Sequence, residues 1–481
     1  MNTNLLGIGE LSVSLGAHYI SFSSSLNKND NGFSSVAIDS RKVKKGSLFV
    51  ALNGVSCDGH EFVQAAFNCG AAAAMVESSK IESFNLKNIA QKAGRDLIIV
   101  ENTLKGLQNS ARVYLEKFPK LVRIGITGSS GKTTTKEITA AIVSCEKNII
   151  KNEGNLNSET GLPVSVFEVR SCHEVGIFEL GMNRPGEILE IAEVLKPNIA
   201  LVTNIGSAHI EFFGSKDKIV NEKKCIFNFL KDDDIALIPG HDRECAASLS
   251  DGVNANVKYF SAENFSEFEG TRSLGLDGTE ISWAGEKINF ALAGKHCLED
   301  AIAAIAIAKE IPVSNSSIKK GLESVRPLFG RFEVLKGKVL IIRDCYNANP
   351  ESTAAGIEFC DTLDLPRGSG ARKIYVIADM LELGAASQNE HEKLGESLAG
   401  SKADMIFLFG AEIEAAASVL KNKNKTFLYT NDIDKLSREL GGYIKDGDMV
   451  LLKGSRGCAL ERLTGVLMPA DAGKQGVCNV S

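Results

Sequence analysis

A glycine-rich loop that joins an apolar segment to a polar one places the tightest constraint on how this chain folds. The apolar run LVRIGIT ends at Thr127, and the residues from 127 to 135 read TGSSGKTTT. A strand, a loop and a helix in this order aim backbone N–H groups and the positive end of a helix at one point, which suits a phosphate. Lys132 adds a positive charge there, and the hydroxyl of Thr133 suits Mg²⁺. We therefore predict ATP binding through Thr127, Gly128, Ser129, Ser130, Gly131, Lys132, Thr133 and Thr134.

The loop departs in one respect from the common eight-residue form. That form begins with glycine, and this chain has Ile126 at the corresponding position. The alternative interpretation is a Gly-Ser turn followed by a lysine that only begins a helix. The apolar strand before the loop and the helix-compatible segment after it favour the phosphate loop.

A repeated alternation of strands and helices predicts several domains. A single core rarely exceeds roughly 250 residues, and this chain has 481. Apolar segments alternate with helical segments over 121–240 and again over 338–454, which is typical of parallel sheets covered on both faces. Near the N-terminus, a helix predicted over 60–76 lies between strands predicted at 48–52 and 97–101. We predict an α/β protein with a small N-terminal α/β domain (1–102), a central P-loop parallel-sheet ATPase domain (103–327) and a C-terminal Rossmann-like doubly wound domain (328–481).

Composition excludes several classes of function. The chain has 54 basic and 60 acidic residues, a net charge of -6, and no cluster of Lys and Arg suited to nucleic acid. Its 11 cysteines are scattered singly, which indicates reduced thiols and a cytoplasmic protein. We find neither a secretory leader nor a run of about 20 apolar residues, so we expect no membrane insertion. The last residues, 469–481, are predicted to form a loose tail.

Two side chains at the ends of later strands are candidates for a metal site. Glu179 ends the run VGIFE, and the next strand leads through TNIGSAH to His209. Ligands gather beyond the carboxyl ends of parallel strands, so a carboxylate and an imidazole there can share a metal held by a nucleotide. For each residue alone, the alternative is a capping carboxylate or an ordinary hydrogen-bonded histidine.

Four successive motifs resemble those of the Mur ligases, a family that builds the peptide of the bacterial cell-wall precursor by ATP-driven amide formation. The motifs are TGSSGKTTTKE from Thr127, GNLNSETGLP from Gly154, FELGMNRPGEI from Phe178 and TNIGSAHIEFFGS from Thr203. The resemblance covers nearly the whole chain. The segments DCYNANPES, ADMLELG and LLKGSRG look most like the members that add D-alanyl-D-alanine, and DSRKVKKGSLFVALNGVSCDGHEFV resembles a uridine-nucleotide-binding domain of the family.

The resemblance implies a monomeric ligase that joins D-alanyl-D-alanine to UDP-N-acetylmuramoyl-tripeptide through an acyl phosphate, with ATP and Mg²⁺. Lys223 lies where these enzymes carry a carbamylated lysine, whose anionic oxygens suit Mg²⁺ better than an ammonium does. A solvated lysine is the alternative, and the neighbouring Lys224 is the second candidate. The implied metal ligands are Thr133, Glu179, His209 and Lys223 as a carbamate. The implied catalytic residues are Lys132, Glu179, His209, Lys223 and Arg331.

The resemblance also implies contacts with each substrate. Further ATP contacts are Asn204, His296, Asp300, Arg331 and Asp344. The dipeptide contacts are Asn347 and Asn349, and the precursor contacts are Ser40, Arg41, Asp58, His60, Asn155 and Asn157. The alternatives are an interdomain surface arginine at 331, a turn that bonds to itself in YNANP, a simple Asp-Gly turn at 58–59 and a Ser40 that only satisfies local backbone. Where the family has HNxxNA the chain has HCLEDA, so Cys297 and Asp300 leave the recognition of adenine open.

Two rival functions remain at this point. One is the ligase of the same family that adds the third amino acid, which differs in the acceptor pocket around DCYNANP. The other is a non-catalytic, nucleotide-dependent binding module, which the altered HCLEDA segment makes conceivable. That module would be indicated by loss of the metal ligands, and Glu179, His209 and Lys223 are all present.

Overall fold

The N-terminal part of the chain folds around a five-stranded sheet in a computed structural model that describes residues 4–22, 32–54, 57–365 and 370–468. Its strands are β1 (Leu6–Gly7), β2 (His18–Ile20), β3 (Gly32–Phe33), β4 (Ser35–Ala37), β5 (Ser47–Val50), β6 (Ala73–Glu77) and β7 (Asp96–Val100). Its helices are α1 (Ile8–Ser14), α2 (Val63–Asn68), α3 (Leu86–Ala93) and α4 (Thr103–Leu115). The strand order is β2-β7-β6-β5-β4, in which β4 to β7 run parallel and β2 is antiparallel. Strands β1 and β3 form a separate antiparallel pair.

A six-stranded parallel sheet carries the phosphate loop. Its strands are β8 (Val122–Thr127), β9 (Ile149–Lys151), β10 (Val175–Glu179), β11 (Ile199–Val202), β12 (Ile235–Pro239) and β13 (Asn256–Phe260), in the order β13-β12-β11-β8-β10-β9. The helices of this region are α5 (Lys132–Val143), α6 (Gly161–Val166), α7 (Glu187–Leu195), α8 (Ile210–Phe213), α9 (Lys216–Lys224), α10 (Arg243–Ser250), α11 (Lys295–Lys309) and α12 (Asn315–Ser324). Strand β8 lies between β10 and β11, so its loop emerges at the middle of the carboxyl edge.

A three-stranded antiparallel sheet follows the parallel one. It consists of β14 (Phe268–Ser273), β15 (Thr279–Trp283) and β16 (Glu286–Phe290). Its buried side chains, which include Trp283 and Phe290, join the core under α5, α11 and α12. This small sheet packs against α12, which in turn contacts α5, the helix that begins at the phosphate loop.

The C-terminal part forms a second six-stranded sheet. Its strands are β17 (Glu333–Lys336), β18 (Leu340–Asp344), β19 (Lys373–Ala378), β20 (Met405–Phe409), β21 (Phe427–Thr430) and β22 (Met449–Lys453), in the order β17-β18-β22-β19-β20-β21. Within this sheet, β17 is antiparallel to its neighbour and the other strands run parallel. The helices are α13 (Pro350–Thr362), α14 (Ser387–Gly400), α15 (Glu414–Asn422), α16 (Ile433–Tyr443) and α17 (Thr464–Leu467). Separate cores on the two faces of this sheet fit the covered parallel arrangement that the apolar runs predict.

The predicted fold class is confirmed, with one local error near the N-terminus. The helix predicted over 60–76 ends at Asn68, and Ala73–Glu77 is a buried strand of the sheet. The alanines of that segment suit a helix, but tertiary burial decides in favour of a strand. The domain boundaries stay predictions, since α4 contacts both β6 and the helices α6 and α7. The predicted tail at 469–481 lies outside the described residues, and within them no helix is long and apolar enough to cross a membrane.

Candidate active site

Two glycines with positive φ shape the phosphate loop. Gly128 has φ 155° and Gly131 has φ 76°, backbone values that residues with a side chain rarely adopt. A Cβ on Gly128 would lie 1.8 Å from Thr203 Oγ1, and a Cβ on Gly131 would lie 2.0 Å from Asp300 Oδ1. Helix α5 begins directly after Gly131, so the predicted order of strand, loop and helix is present.

The segment after β11 holds the loop in shape. Asn204 Oδ1 accepts a hydrogen bond from Ser130 N at 2.9 Å, and Ser129 N donates to the carbonyl of Asn204 at 3.0 Å. Thr203 Oγ1 donates to Ser130 O at 2.6 Å. Asn204 lines the same cleft as the loop. Its side-chain amide forms hydrogen bonds with both backbone polar groups of Ser130 in the loop. Asn204 therefore supports the loop, and its contact with ATP stays a prediction.

Thr127 is an exception among the predicted loop contacts. Its side chain is fully buried, and Oγ1 donates to the carbonyl of Leu180 at 2.9 Å. That bond joins the ends of β8 and β10 beneath the loop. Thr127 therefore supports the loop from below, and the residues from Ser129 to Thr134 line the cleft above it.

A cleft of about 470 Å³ lies between the central and C-terminal sheets. It brings together most of the predicted site residues from both. Those lining it are Ser129, Ser130, Gly131, Lys132, Thr133, Thr134, Asn157, Glu179, Asn204, His209, His296, Asp300, Arg331, Asp344, Asn347 and Asn349. The predicted residues outside its lining are Ser40, Arg41, Asp58, His60, Thr127, Gly128, Asn155 and Lys223.

Two lysines converge behind the loop on one carbonyl oxygen. Lys132 Nζ donates to Gly128 O at 2.7 Å, and Lys223 Nζ donates to the same atom at 3.0 Å. Lys223 is only 1% exposed. Burial lowers the pKa of Lys223 well below its ordinary value, and the nearby charge of Lys132 lowers it further. Burial also lowers the pKa of Lys132, while Glu179 opposes that shift.

Thr133 connects the two halves of the cleft. Its Oγ1 donates to Glu179 Oε2 at 2.8 Å and accepts a hydrogen bond from Arg331 Nη2 at 2.9 Å. The guanidinium of Arg331 also stacks on the ring of Tyr346, 4.0 Å from its centroid. Arg331, which precedes the C-terminal sheet, thus reaches the phosphate loop. Its contact with ATP stays a prediction beside the interdomain alternative.

The predicted metal ligands are only partly assembled. Thr133 and Glu179 offer two oxygens in contact, and hard oxygen ligands suit Mg²⁺. His209 lines the cleft, but its Nδ1 lies 2.6 Å from Glu382 Oε2, a C-terminal carboxylate. This contact holds the pKa of Glu382 below its ordinary value and leaves Nε2 as the nitrogen for a ligand. In the part of the chain that the structure describes, no group of three or more His, Cys, Asp or Glu could hold a metal.

The end of β18 presents a charge pair to the cleft. Asp344 Oδ2 lies 2.8 Å from Lys453 Nζ, and Asp344 Oδ1 accepts from Phe332 N at 3.1 Å. Lys453 is 1% exposed and also donates to the carbonyl of Asn347. Sequence reasoning missed Lys453 and Glu382. Both belong to motifs that carry the resemblance, LLKGSRG and ADMLELG, so the signal was available.

The two asparagines of YNANP bond mainly to their own neighbourhood. Asn349 caps α13, since its Oδ1 accepts from Ser352 N at 2.8 Å. Asn347 Oδ1 accepts from the next backbone N–H, that of Ala348. The self-bonded turn is therefore present, although both residues line the cleft. Their contact with the dipeptide stays a prediction.

His296 and Asp300 both lie at the cleft but in different surroundings. The ring of His296 meets the edge of Phe332, with centroids 4.8 Å apart, and burial lowers its pKa. Burial raises the pKa of Asp300 well above its ordinary value, which favours the protonated form. Thr135 Oγ1 donates to Asp300 Oδ1 at 3.4 Å, so this carboxyl contacts the phosphate loop. Asp300 therefore lies beside the phosphate loop, and its contact with ATP stays a prediction.

The predicted precursor contacts near the N-terminus lie apart from the cleft. His60 is 1% exposed; its Nδ1 contacts Asp58 at 2.6 Å, and its Nε2 accepts from Glu77 N at 2.9 Å. Asp58 also pairs with Lys80, and Arg41 pairs with Asp39. Because its ring nitrogens are occupied, His60 supports the local fold. Arg41 and Asn155 remain exposed to a ligand, and Ser40 is half-buried.

Three family models match this chain in order. The Mur ligase family catalytic domain matches residues 33–114, the Mur ligase middle domain matches 126–308, and the Mur ligase glutamate ligase domain matches 330–456. Together these matches span the three regions described above.

Curated relatives and solved structures agree with those matches. The UDP-N-acetylmuramoyl-tripeptide–D-alanyl-D-alanine ligase of Treponema pallidum is 38% identical over 445 residues, which cover 91% of this chain and 94% of that protein. The crystal structure of MurF from Acinetobacter baumannii superposes with a TM-score of 0.82 at 27% identity, over 96% of this chain and 98% of that one. MurF ligase from Thermotoga maritima in complex with ADP superposes with a TM-score of 0.75 at 29% identity, over 90% of this chain and 96% of that one.

Proposed function

This chain belongs to the Mur ligase family, and we propose that it joins D-alanyl-D-alanine to UDP-N-acetylmuramoyl-tripeptide at the expense of ATP. The observation that carries this function is the position of Thr133. Its hydroxyl bonds to Glu179 of the central sheet and to Arg331 of the C-terminal region. Groups from two domains thus surround the point on the phosphate loop where a terminal phosphate belongs.

The reaction begins with activation of a carboxylate, because a free carboxylate does not react with an amine at neutral pH. An oxygen of the tripeptide carboxylate attacks the γ-phosphorus of ATP, which gives an acyl phosphate and releases ADP. The dipeptide amine then attacks the acyl carbon; the C–N bond forms, phosphate leaves, and the amine loses a proton. Lys132, Arg331 and the loop N–H groups supply positive charge around the transferred phosphoryl group.

Mg²⁺ is the cofactor of this reaction, and when bound it neutralises phosphate charge and orients the phosphate oxygens. We propose that Thr133 and Glu179 hold it, because their oxygens already lie 2.8 Å apart. His209 would contribute Nε2, since its Nδ1 lies 2.6 Å from Glu382 Oε2. The oxygen-rich donor set suits a hard cation.

Lys223 is proposed to act as a carbamate. Its burial beside Lys132 favours the neutral amine, which is the form that reacts with CO₂. The carbamate would put anionic oxygens beside Lys132 in place of a neutral amine. Lys224, the second candidate, is less suitable because its Nζ points to Asp251 at 3.8 Å and its side chain is 22% exposed.

The acceptor dipeptide is proposed to bind at the start of α13. Asn347 and Asn349 line the cleft there, and the first turn of a helix attracts a carboxylate. Asn157, which donates to Glu179 Oε1 at 2.7 Å, is proposed to contact the muramoyl portion of the precursor. Asn155, Ser40, Arg41 and Asp58 are proposed for the rest of the precursor.

We also infer that the enzyme works as a monomer in the cytoplasm. The groups on both sides of the cleft come from one chain, so the proposed reaction requires no residue of a second copy. The scattered free cysteines suit a reducing compartment. Light scattering after gel filtration and cell fractionation test these two statements separately.

A coupled phosphate-release assay tests the function. With ATP, Mg²⁺ and UDP-N-acetylmuramoyl-tripeptide present, we expect release to depend on D-alanyl-D-alanine. Stimulation by lysine or diaminopimelate with the dipeptide-stage precursor, and none by D-alanyl-D-alanine, would instead identify the ligase that adds the third amino acid. Nucleotide binding without any substrate-dependent release would indicate a binding module.

A further inference from the structure

A ring of hydrogen bonds runs behind Glu179 and joins three elements. Asn152, just after β9, is fully buried. Its Oδ1 accepts from Glu179 N at 2.9 Å, and its Nδ2 donates to Glu179 O at 3.1 Å. The same Nδ2 donates to the carbonyl of Leu156 at 2.8 Å. One amide group therefore satisfies both backbone polar groups of Glu179.

The ring closes through the helix that carries the phosphate loop. Lys136, which is 1% exposed, donates from Nζ to the carbonyl of Asn152 at 2.6 Å. Lys136 and Thr133 are three residues apart on α5, so they face the same side of that helix. Thr133 in turn bonds to the Glu179 carboxylate. Helix α5, the end of β10 and the segment after β9 are thus connected in a circle.

We propose that Asn152 is a positioning residue that sets the Glu179 carboxylate for Mg²⁺, an inference that rests on the proposed function. Fixing the backbone of Glu179 fixes the origin of its side chain, and Asn157 and Thr133 then each take one carboxylate oxygen. A carboxylate held on both sides loses little freedom when a metal binds. Groups that orient metal ligands in this way typically change metal affinity or activity by about 10–100-fold when removed.

The hydrogen-bonding groups around the Asn152 side chain match those of an amide. An amide offers one acceptor and two donors, which is the set that Glu179 N, Glu179 O and Leu156 O require. The Asn152→Asp substitution would present a carboxylate oxygen to two carbonyl oxygens, and Asn152→Ala would leave all three backbone groups without this partner. Both substitutions should therefore release the end of β10 from the segment after β9.

The test measures binding of a non-hydrolysable ATP analogue by calorimetry at increasing Mg²⁺. For Asn152→Ala and Asn152→Asp we expect the Mg²⁺ concentration at half-maximal binding to rise about 10-fold or more. Glu179→Gln alone should raise it too, and adding Asn152→Ala to Glu179→Gln should change it little further, because both act through one group. An unchanged Mg²⁺ dependence in folded Asn152 variants would overturn the proposal.

Asn198 is a matched control at the amino ends of the strands of the same sheet, directly before β11. Its Oδ1 accepts from Arg123 N, and its Nδ2 donates to Asp234 at 3.1 Å, outside the cleft lining. Asn198→Ala should lower the melting temperature without altering the Mg²⁺ dependence; a shift equal to that of Asn152→Ala would make the effect a general loss of stability and refute the positioning role. Wild-type protein that shows no dipeptide-dependent phosphate release would refute the proposed function, whereas the analogue titration addresses Asn152 separately.

Discussion

Lys132 and Lys223 set the electrostatics of the phosphate loop by sharing one acceptor. Both Nζ atoms bond to Gly128 O, and the charge of Lys132 disfavours a charge on Lys223. Burial adds to this effect at Lys223, whose side chain has almost no contact with solvent. A buried lysine with a lowered pKa beside a phosphate site is suited to carbamylation, because the amine is available and the product is an anion.

Lys223→Arg tests that role. Arginine keeps a positive charge but cannot form the carbamate, so we expect the ligase rate to fall about 100-fold or more. Adding bicarbonate should raise the activity of CO₂-depleted wild type and leave the variant unchanged. Lys224→Arg is the control one residue away, and its rate should stay near that of wild type. Equal losses in both variants would contradict the assignment to Lys223.

Arg331→Ala tests the contact between the C-terminal region and the loop. Removing the guanidinium takes a positive charge from beside Thr133, so kcat should fall about 100-fold while the fold is kept. Arg343, which stacks on Phe329 at 4.2 Å and pairs with Glu333, is a comparable arginine outside the cleft. Arg343→Ala should cost stability and leave kcat nearly intact. A wild-type kcat in Arg331→Ala would remove Arg331 from the reaction.

At the level of elements, the local sequence pattern predicts a strand well where nearly all of its residues are buried. Strands β8, β10, β11, β19, β20 and β22 are apolar runs, and each was predictable from its sequence. The helix predicted over 60–76 is wrong at its C-terminal end. The alanines there favour a helix, but pairing of β6 with β5 and β7 buries Ala73–Glu77 as a strand. The sheet of β14 to β16 lay outside the predicted alternation, since its strands expose many charged residues.

The residues of the candidate site also differ in whether the sequence alone predicts them. The residues from Gly128 to Thr134 follow from one contiguous pattern. Asn152 acts through main-chain atoms, so no local spacing marks it. Lys453 and Glu382 lie in motifs of the resemblance, but their partners Asp344 and His209 are distant in sequence. His60 was chosen by its motif, and only the structure shows that its ring nitrogens are occupied.

Asp58 offers a pH test of the short helix Gly59–Phe62. Asp58 caps that helix and contacts His60 and Lys80, and these bonds lower its pKa from 3.8 to about 2 against the opposing effect of burial. Because the folded-state pKa is depressed, the carboxylate stabilises the fold above pH 3.8 and loses this effect as the pH falls toward 2.

Asp58→Ala should therefore cost about 1 kcal/mol at neutral pH. The difference from wild type, measured by urea unfolding, should narrow below about pH 4. Glu61→Ala, at an exposed neighbouring position, should show neither effect. A difference for Asp58→Ala that stays constant between about pH 7 and pH 3 would contradict the pKa assignment.

At the level of the whole molecule, a C-terminal carboxylate contacts the segment that shapes the phosphate loop. Glu351, in the first turn of α13, accepts from Ser207 N at 2.9 Å and from Ser207 Oγ at 2.8 Å. The adjacent Gly206 N donates to Ser129 Oγ at 2.8 Å. The proposed dipeptide site on α13 is thus connected to the nucleotide site by two successive contacts.

Glu351→Ala should uncouple these two sites. Calorimetry of D-alanyl-D-alanine with and without an ATP analogue measures the coupling, which for typical linked sites is about 5–150-fold. We expect the variant to lose most of this enhancement while its affinity for the analogue alone is kept. Glu358→Ala, an exposed position on the same helix, should retain it. Coupling of wild-type size in Glu351→Ala would show that these contacts do not connect the sites.

The central claim is that ATP activates the tripeptide carboxylate, and oxygen transfer tests it most directly. The precursor is prepared with ¹⁸O in its terminal carboxylate and converted by the enzyme with ATP, Mg²⁺ and D-alanyl-D-alanine. Attack of the carboxylate on the γ-phosphorus predicts that one ¹⁸O appears in the released phosphate for each amide formed, as measured by mass spectrometry. Unlabelled phosphate, with the amide still formed, would contradict the account.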